Sequence, residues 1–258
     1  MFSKSWGSGD DVTIGLHGWG GSHETFVPLA SWLPEHCMLV ACDLPGFGKT
    51  PAPARLDRDE ISAGMARWID GLGLKRVSLL GNCSGALAAL LAAPMLKTPV
   101  SRLILLDAFA YVPWYFRVFS NRVFGDYAYY TTFANPLGRW LTNRGLAARR
   151  RPGTDMTGSF ARADHESTLS WLRLLADIPG YEFFRPVHAP VELVYGERTF
   201  CAVKRSVALW KKLWPQAPVT ELKGAGHLGI AEAPRDLART VFKPNVAREA
   251  LPHAVAIS

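Results

Sequence analysis

Along the chain, short uninterrupted apolar runs take turns with longer stretches whose apolar positions recur at helical spacing. Residues 12–16, 38–42, 77–80, 103–106, 191–195 and 219–222 form such runs, and none shows the in-out alternation of a strand with one wet face. Helical stretches at 61–72, 86–96 and 203–214 fall between or beside them. This rhythm predicts an α/β fold: a doubly wound, mostly parallel central sheet covered by helices on both faces. A sheet of that kind places its ligand at the carboxyl ends of the strands.

Residues 109–185 break the rhythm. Eleven of the chain's 29 aromatic residues fall between Phe109 and Phe133, and no clear strand appears. Asn135 as N-cap, Pro136 at the first helical position and Gly145 past the end frame one helix; Asp164 opens another that carries Leu169, Leu172 and Leu175. The expected organisation is a core from residues 1–108 and 186–258 with an inserted helical lid over 109–185. Residues 243–258, with Pro244 and Pro252 and little periodicity, are expected to trail as a tail.

Composition narrows the class. A chain of 258 residues with 48% hydrophobic and 20% charged residues can bury one sizeable core. No apolar run is long enough for a membrane span, and Met1 to Trp6 lack the apolar centre of a signal peptide, so a cytoplasmic location is expected. Cys37, Cys42, Cys83 and Cys201 have neither CxxC spacing nor a dense pattern, which argues for reduced thiols and against a metal site or a disulfide framework. No cofactor motif is present. The net charge is +7, and residues 109–185 hold ten arginines, no lysine and six acids. Without a recognisable module that basic island argues against nucleic-acid binding and reads as solvated surface.

The chemistry concentrates at Gly81-Asn82-Cys83-Ser84-Gly85. An apolar run precedes it and an alanine-rich helical stretch follows, so it reads strand, sharp turn, helix, with Cys83 at the exposed tip. Three further signals surround it in order: His17-Gly18-Trp19-Gly20-Gly21 after the first run, Asp43 to Thr50 after the second, and Gly226-His227 followed by Glu232 and Pro234. Together the four resemble the α/β-hydrolase superfamily over nearly residues 10 to 242, as a variant with cysteine where the nucleophile elbow normally carries serine.

That resemblance implies Cys83 as nucleophile, His227 as general base, and the backbone N–H groups of Trp19 and Ser84 as the oxyanion hole. His17 is expected to brace its loop and Asp43 to shape a turn. The acid departs from the pattern: the family's Gly-x-x-Asp appears as Gly196-Glu197-Arg198-Thr199, so threonine stands at the acid position. Asp107, after the run 103–106, matches an alternative position used by some relatives, with Glu197 as a weaker candidate. A thiol ionises more readily than a hydroxyl, from about 8.5, so an ion-pair-like Cys83–His227 dyad would depend less on a third member.

The expected function is hydrolysis or transfer of the acyl group of an ester, lactone or thioester through an acyl-cysteine, on a small-molecule substrate that could be borne by coenzyme A or a carrier protein. Trp114, Tyr115 and Phe116 are the candidate substrate contacts, and Arg149-Arg150-Arg151 is a candidate steering patch for an acidic carrier. The competing reading is a degenerate family member that binds a small apolar ligand without catalysis.

Overall fold

A computed structural model describes residues 1–54 and 56–243; most of the expected tail, residues 244–258, lies outside the described residues. Seven strands form one sheet: β1 (Ser3–Gly7), β2 (Asp11–Leu16), β3 (Cys37–Cys42), β4 (Val77–Asn82), β5 (Val100–Leu106), β6 (Val191–Gly196) and β7 (Val219–Leu222). Their order across the sheet is β1-β3-β2-β4-β5-β6-β7, and every pair is parallel except β1 with β3. The six apolar runs correspond to β2 through β7. The antiparallel edge strand β1 is not among them, because its residues Ser3, Lys4 and Ser5 are mostly exposed and carry no apolar run.

The continuous apolarity of the inner strands follows from burial on both faces. Ile14, Leu16, Val77, Leu79, Leu103, Leu105 and Leu193 point into one core cluster, with the helices Arg58–Asp70 and Ser84–Ala92. Leu39, Leu80, Ile104, Leu106 and Val194 point into the other, with the helix Pro234–Val241. Period-two alternation is present here as a partition between two apolar cores, so it leaves no polar trace in the sequence.

Register brings the ends of five strands, each within about two residues of its neighbour's, to one edge of the sheet. Leu16 pairs with Gly81, Asn82 with Leu106, Leu106 with Val194, and Gly196 with Leu222. The chain runs outward from β2 to β3 and then returns to β4 on the other side of β2, which makes the β2–β4 boundary the switch point where loops diverge. The loops after β2, β4, β5, β6 and β7 therefore converge on one crevice.

Between β5 and β6 the chain is helical, with segments Trp114–Ser120, Gly125–Tyr129, Pro136–Gly145 and His165–Ala176. Asn135 accepts from the amides of Leu137 and Gly138, and Asp164 from that of Ser167, so both expected caps form. Gly145 is the last helical residue rather than the residue past the end. The helix Trp114–Ser120 went unread in the sequence because its aromatic residues favour strands as readily as helices. Tyr129, Phe133, Phe160, Leu169 and Leu172 give this segment a small core of its own.

Gly85 sets the closeness of the helix Ser84–Ala92 to β2: a Cβ there would lie 2.1 Å from the Leu16 carbonyl oxygen. Gly85→Ala is expected to lower stability by about 2–4 kcal/mol, since backbone on both sides must yield. A urea unfolding midpoint unchanged from that of the unaltered chain would contradict this account.

Candidate active site

Cys83 sits at φ 52° and ψ −113°, immediately before the helix that begins at Ser84. Its amide donates to Leu106 O at 2.8 Å, and the turn is tight enough that a Cβ on Gly81 would meet Ala86 Cα at 2.3 Å. The sulfur is partly exposed, whereas Cys37 and Cys42 are buried. Ser84 opens the helix, so its N–H has no intrahelical acceptor and faces the mouth of the turn. The loop after β2 lies alongside: a Cβ on Gly18 would be 3.2 Å from Cys83 Cβ and 3.2 Å from Asn82 O. Trp19, next in that loop, lines the same cavity as Cys83.

His17 is fully buried. Its Nδ1 donates to Gly18 O at 2.8 Å, and its Nε2 accepts from the Leu44 amide at 3.0 Å. Burial lowers its pKa to about 4, so the ring is neutral and ties the β2 loop to the turn after β3. Asp43 is equally structural. It accepts from the His23 amide at 2.6 Å, from His23 Nδ1 at 2.8 Å and from the Lys49 amide at 2.8 Å.

His227 reaches the elbow from the loop after β7. It lines the same cavity as Cys83, and its Nδ1 lies against two oxygens. Asp107 Oδ2 is 3.2 Å from Nδ1, and Thr199 Oγ1 is also 3.2 Å from it. The two contacts differ. Thr199 is in hydrogen-bonding alignment with the ring, whereas Asp107 Oδ2 is buried without an aligned hydrogen bond. Asp107 itself has φ 49° and is fixed by the Gly196 amide, which donates to Oδ1 at 3.1 Å. Burial raises the Asp107 pKa against the opposing pull of His227, Gly196 and the Thr199 hydroxyl. For His227, burial opposes the charged ring, but its interactions with Cys83 and Asp107 outweigh it and push the pKa up to about 10. Phe200 and Phe109 pack on the imidazole at centroid distances of 4.9 and 5.8 Å.

The sequence reading treated Thr199 only as the loss of an acid, and its hydroxyl at Nδ1 is the residue that reading missed. The signal was its position alone, three residues after Gly196 at the end of β6. Glu197 lies elsewhere, accepting from the Gly224 amide at 2.7 Å and so holding the His227 loop rather than the imidazole. Glu232 does similar work. One carboxylate oxygen takes the Gly226 amide at 2.5 Å, the other the Arg151 amide and the Thr154 hydroxyl.

Arg149-Arg150-Arg151 is not a free patch. Arg149 O accepts the His227 amide at 2.8 Å and its guanidinium donates to Thr199 O at 3.3 Å. Arg151 donates to Gly224 O at 2.9 Å, and Arg150 reaches Asn143 O at 3.5 Å. These arginines knit the helical segment to the His227 loop, which replaces the steering expectation with an anchoring one.

Trp19 carries the other anchor. Its ring meets Phe133 and Phe160 at 4.9 Å and Phe116 at 5.6 Å, and Nε1 donates to Thr168 O at 2.7 Å. Two cavities meet beside Cys83. The wider, about 720 Å³, is lined by Trp19, Cys83, Tyr115, Phe116, Phe200 and His227 among others. The narrower, about 70 Å³, runs between Leu87, Phe109, Phe116, Leu172, Leu175 and Phe184. Tyr115 and Phe116 thus face the site. Trp114 is instead 75% exposed and lines neither cavity, because consecutive residues of one helix point about 100° apart and the next two take the inward face.

The family model of the alpha/beta hydrolase family matches residues 14–240. The chain belongs to the α/β hydrolase family. The hydrolase is 30% identical over 101 residues to a "Serine hydrolase-like protein" of Danio rerio, a match covering 38% of this chain and 31% of that one. It spans only about a third of the length of that relative and of a "Probable serine hydrolase" of Drosophila melanogaster. It is 24% identical to a "Pimeloyl-[acyl-carrier protein] methyl ester esterase" of Aeromonas salmonicida, covering 92% of this chain and 96% of the other. Among solved structures, MenH from S. aureus superposes with a TM-score of 0.74 at 17% identity, covering 93% and 96% of the two chains. The enol-lactonase from Burkholderia xenovorans gives 0.75 at 16%, covering 93% and 94%. The homologues of this hydrolase are thus of esterase type. Among the described residues no group of side chains could hold a metal ion, and no helix is long and apolar enough to cross a membrane.

A ring whose pKa is raised above its unfolded value of 6.5 stabilises the fold fully below pH 6.5, and that contribution is lost as pH rises through about 10. Asp107→Asn removes one of the two charges that raise it. The imidazole carbon-bound protons, followed by NMR, are therefore expected to titrate at lower pH in Asp107→Asn than in the unaltered protein; an unmoved midpoint would show that Asp107 does not act on the ring.

Proposed function

We propose that this hydrolase cleaves a carboxylic ester or thioester through an acyl-cysteine on Cys83, with residues 109–185 acting as a lid over the site. The observation that carries this reading is a partly exposed Cys83 at a positive-φ tip, on the wall of a cavity it shares with His227, whose Nδ1 lies 3.2 Å from both Thr199 Oγ1 and Asp107 Oδ2. A non-catalytic binder has no use for that arrangement, which costs backbone strain of about 1–3 kcal/mol at the elbow.

The steps follow from the positions. The Cys83 thiolate attacks the acyl carbon, and the carbonyl π electrons move to oxygen, where the N–H groups of Ser84 and Trp19 take the charge. The imidazolium of His227 gives its proton to the departing alkoxide or thiolate as the carbonyl re-forms, leaving a thioester on Cys83. Water then attacks that thioester while His227 takes a proton from it, and the cysteine leaves as thiolate. Thr199 orients the base: its hydroxyl oxygen accepts from Nδ1–H, and its own hydrogen can turn toward Asp107. Tyr115, whose hydroxyl is buried without a partner in a residue that lines the wide cavity, is one polar group available to the substrate there; Phe116 supplies apolar contact.

The esterase-type relatives support hydrolysis over transfer, and the Aeromonas relative, named for a methyl ester on an acyl-carrier protein, supports a carrier-borne thioester acyl chain as one form of substrate. On this reading Cys83→Ala and His227→Ala abolish turnover of a p-nitrophenyl ester and the Cys83-dependent acyl adduct in the intact mass. Asp107→Asn is expected to cost about 10–100-fold, well short of the ~10⁴-fold known for a serine triad deprived of its aspartate. Equal, near-total losses in all three would overturn the thiolate–imidazolium account, and a ligand-induced melting shift with neither adduct nor turnover would favour the binder.

A further inference from the structure

The narrow apolar cavity has a neighbour. It shares Tyr111, Val112, Ala176, Ile178 and Gly180 with a third cavity of about 310 Å³, whose other walls include Arg117, Arg122, Arg173 and Asp177. The narrow cavity, a passage from Cys83 and Leu87 between Phe109 and Leu175, therefore borders a cleft lined by three arginines. The passage carries no charged wall residue until the cleft is reached.

The cleft has a surplus of positive charge. Arg173 spends one nitrogen on Asp126 at 3.0 Å, and its Nε is buried without a hydrogen-bond partner. Arg122 lies 3.9 Å from Asp177. Arg117 donates through Nε to Val112 O at 3.3 Å and, among the described residues, makes no ion pair. Two carboxylates thus face three guanidiniums, and the planar donors of Arg117 remain for a bound oxyanion.

We propose that the passage and the cleft form an acyl subsite for a chain that is apolar along its length and ends in an anion, a carboxylate or a phosphate. This rests on the acyl-cysteine reading, with the ester carbonyl at Cys83, the methylenes between Phe109 and Leu175, and the terminal charge among Arg117, Arg122 and Arg173. The bulkier or variable leaving group occupies the wide cavity on the His227 side. A chain too short leaves the anion desolvated in an apolar passage, and a neutral chain of the right length leaves the arginines unused, so the site selects for length and charge together.

The test compares p-nitrophenyl half-esters of unbranched α,ω-dicarboxylic acids with p-nitrophenyl alkanoates of equal length, and with ω-phosphate analogues as a second arm. The ratio of kcat/KM for charged over neutral chains is expected to rise with length to a maximum of about tenfold or more. It falls toward unity in Arg117→Gln with Arg122→Gln, and with added salt in the unaltered enzyme. A maximum in the carboxylate arm alone identifies a dicarboxylic half-ester; one in the phosphate arm alone identifies a phosphate-terminated chain. A ratio flat with length, or indifferent to both salt and the double variant, overturns the subsite. Calorimetric titration of Cys83→Ala with the same half-esters separates this proposal from the one beneath it. Length- and charge-selective binding there, with no turnover by the unaltered enzyme, keeps the subsite and removes the acyl-cysteine; turnover without selective binding does the reverse.

Discussion

Everything at this site depends on two strained residues held side by side. Cys83 and Asp107 are the non-glycine residues with positive φ among those described, and each follows directly on the end of a central strand, β4 and β5. Each is pinned by a backbone bond to the next strand, Cys83 N to Leu106 O and Asp107 N to Val194 O, both at 2.8 Å. The parallel ladder imposes the strain that neither residue would accept alone. Its register also sets their separation, so the placement of Cys83 relative to Asp107 is a property of the sheet rather than of flexible side chains.

The loops that complete the site are tied to one another more than to the sheet. Trp19 belongs to the candidate oxyanion loop, yet its ring sits in the aromatic core of the helical segment and its Nε1 binds Thr168 O. At the opposite side, Arg149 O holds the His227 amide, and Glu232 clamps both Gly226 and Arg151. The helical segment is thus fastened at the oxyanion loop and at the base loop. Any displacement of it moves the Trp19 loop and the His227 loop together.

Much of this was legible in the residues. Six strands could be read because burial on both faces makes them uniformly apolar, and the elbow because only a strand–turn–helix with flanking glycines suits its composition. β1 was illegible since an exposed antiparallel edge lacks that apolar run. Thr199 and the arginines misled for a common reason: their work is done through contacts 28 to 73 residues away along the chain, as Thr199 does with His227 and Arg149 and Arg151 with Thr199 and Gly224. Sequence spacing reports local geometry; it carries no record of which distant carbonyl a guanidinium will meet. Trp114 misled for a local reason, one helical position deciding between cavity wall and solvent.

The two departures from the family pattern, cysteine at the elbow and threonine at the acid position, fit one electrostatic account. A serine mechanism creates an imidazolium during the reaction, so a nearby aligned carboxylate is needed when that charge appears. A thiolate–imidazolium pair holds the charge before substrate arrives, and an aligned carboxylate would then overstabilise a ring that must later surrender its proton to the leaving group. Here the aligned partner of Nδ1 is a neutral hydroxyl, and the buried carboxylate stands behind it at the same 3.2 Å but out of line. On the acyl-cysteine proposal Thr199 orients the ring, while Cys83 and Asp107 raise its pKa. Orientation and charge, supplied by one residue in a conventional triad, are divided between two.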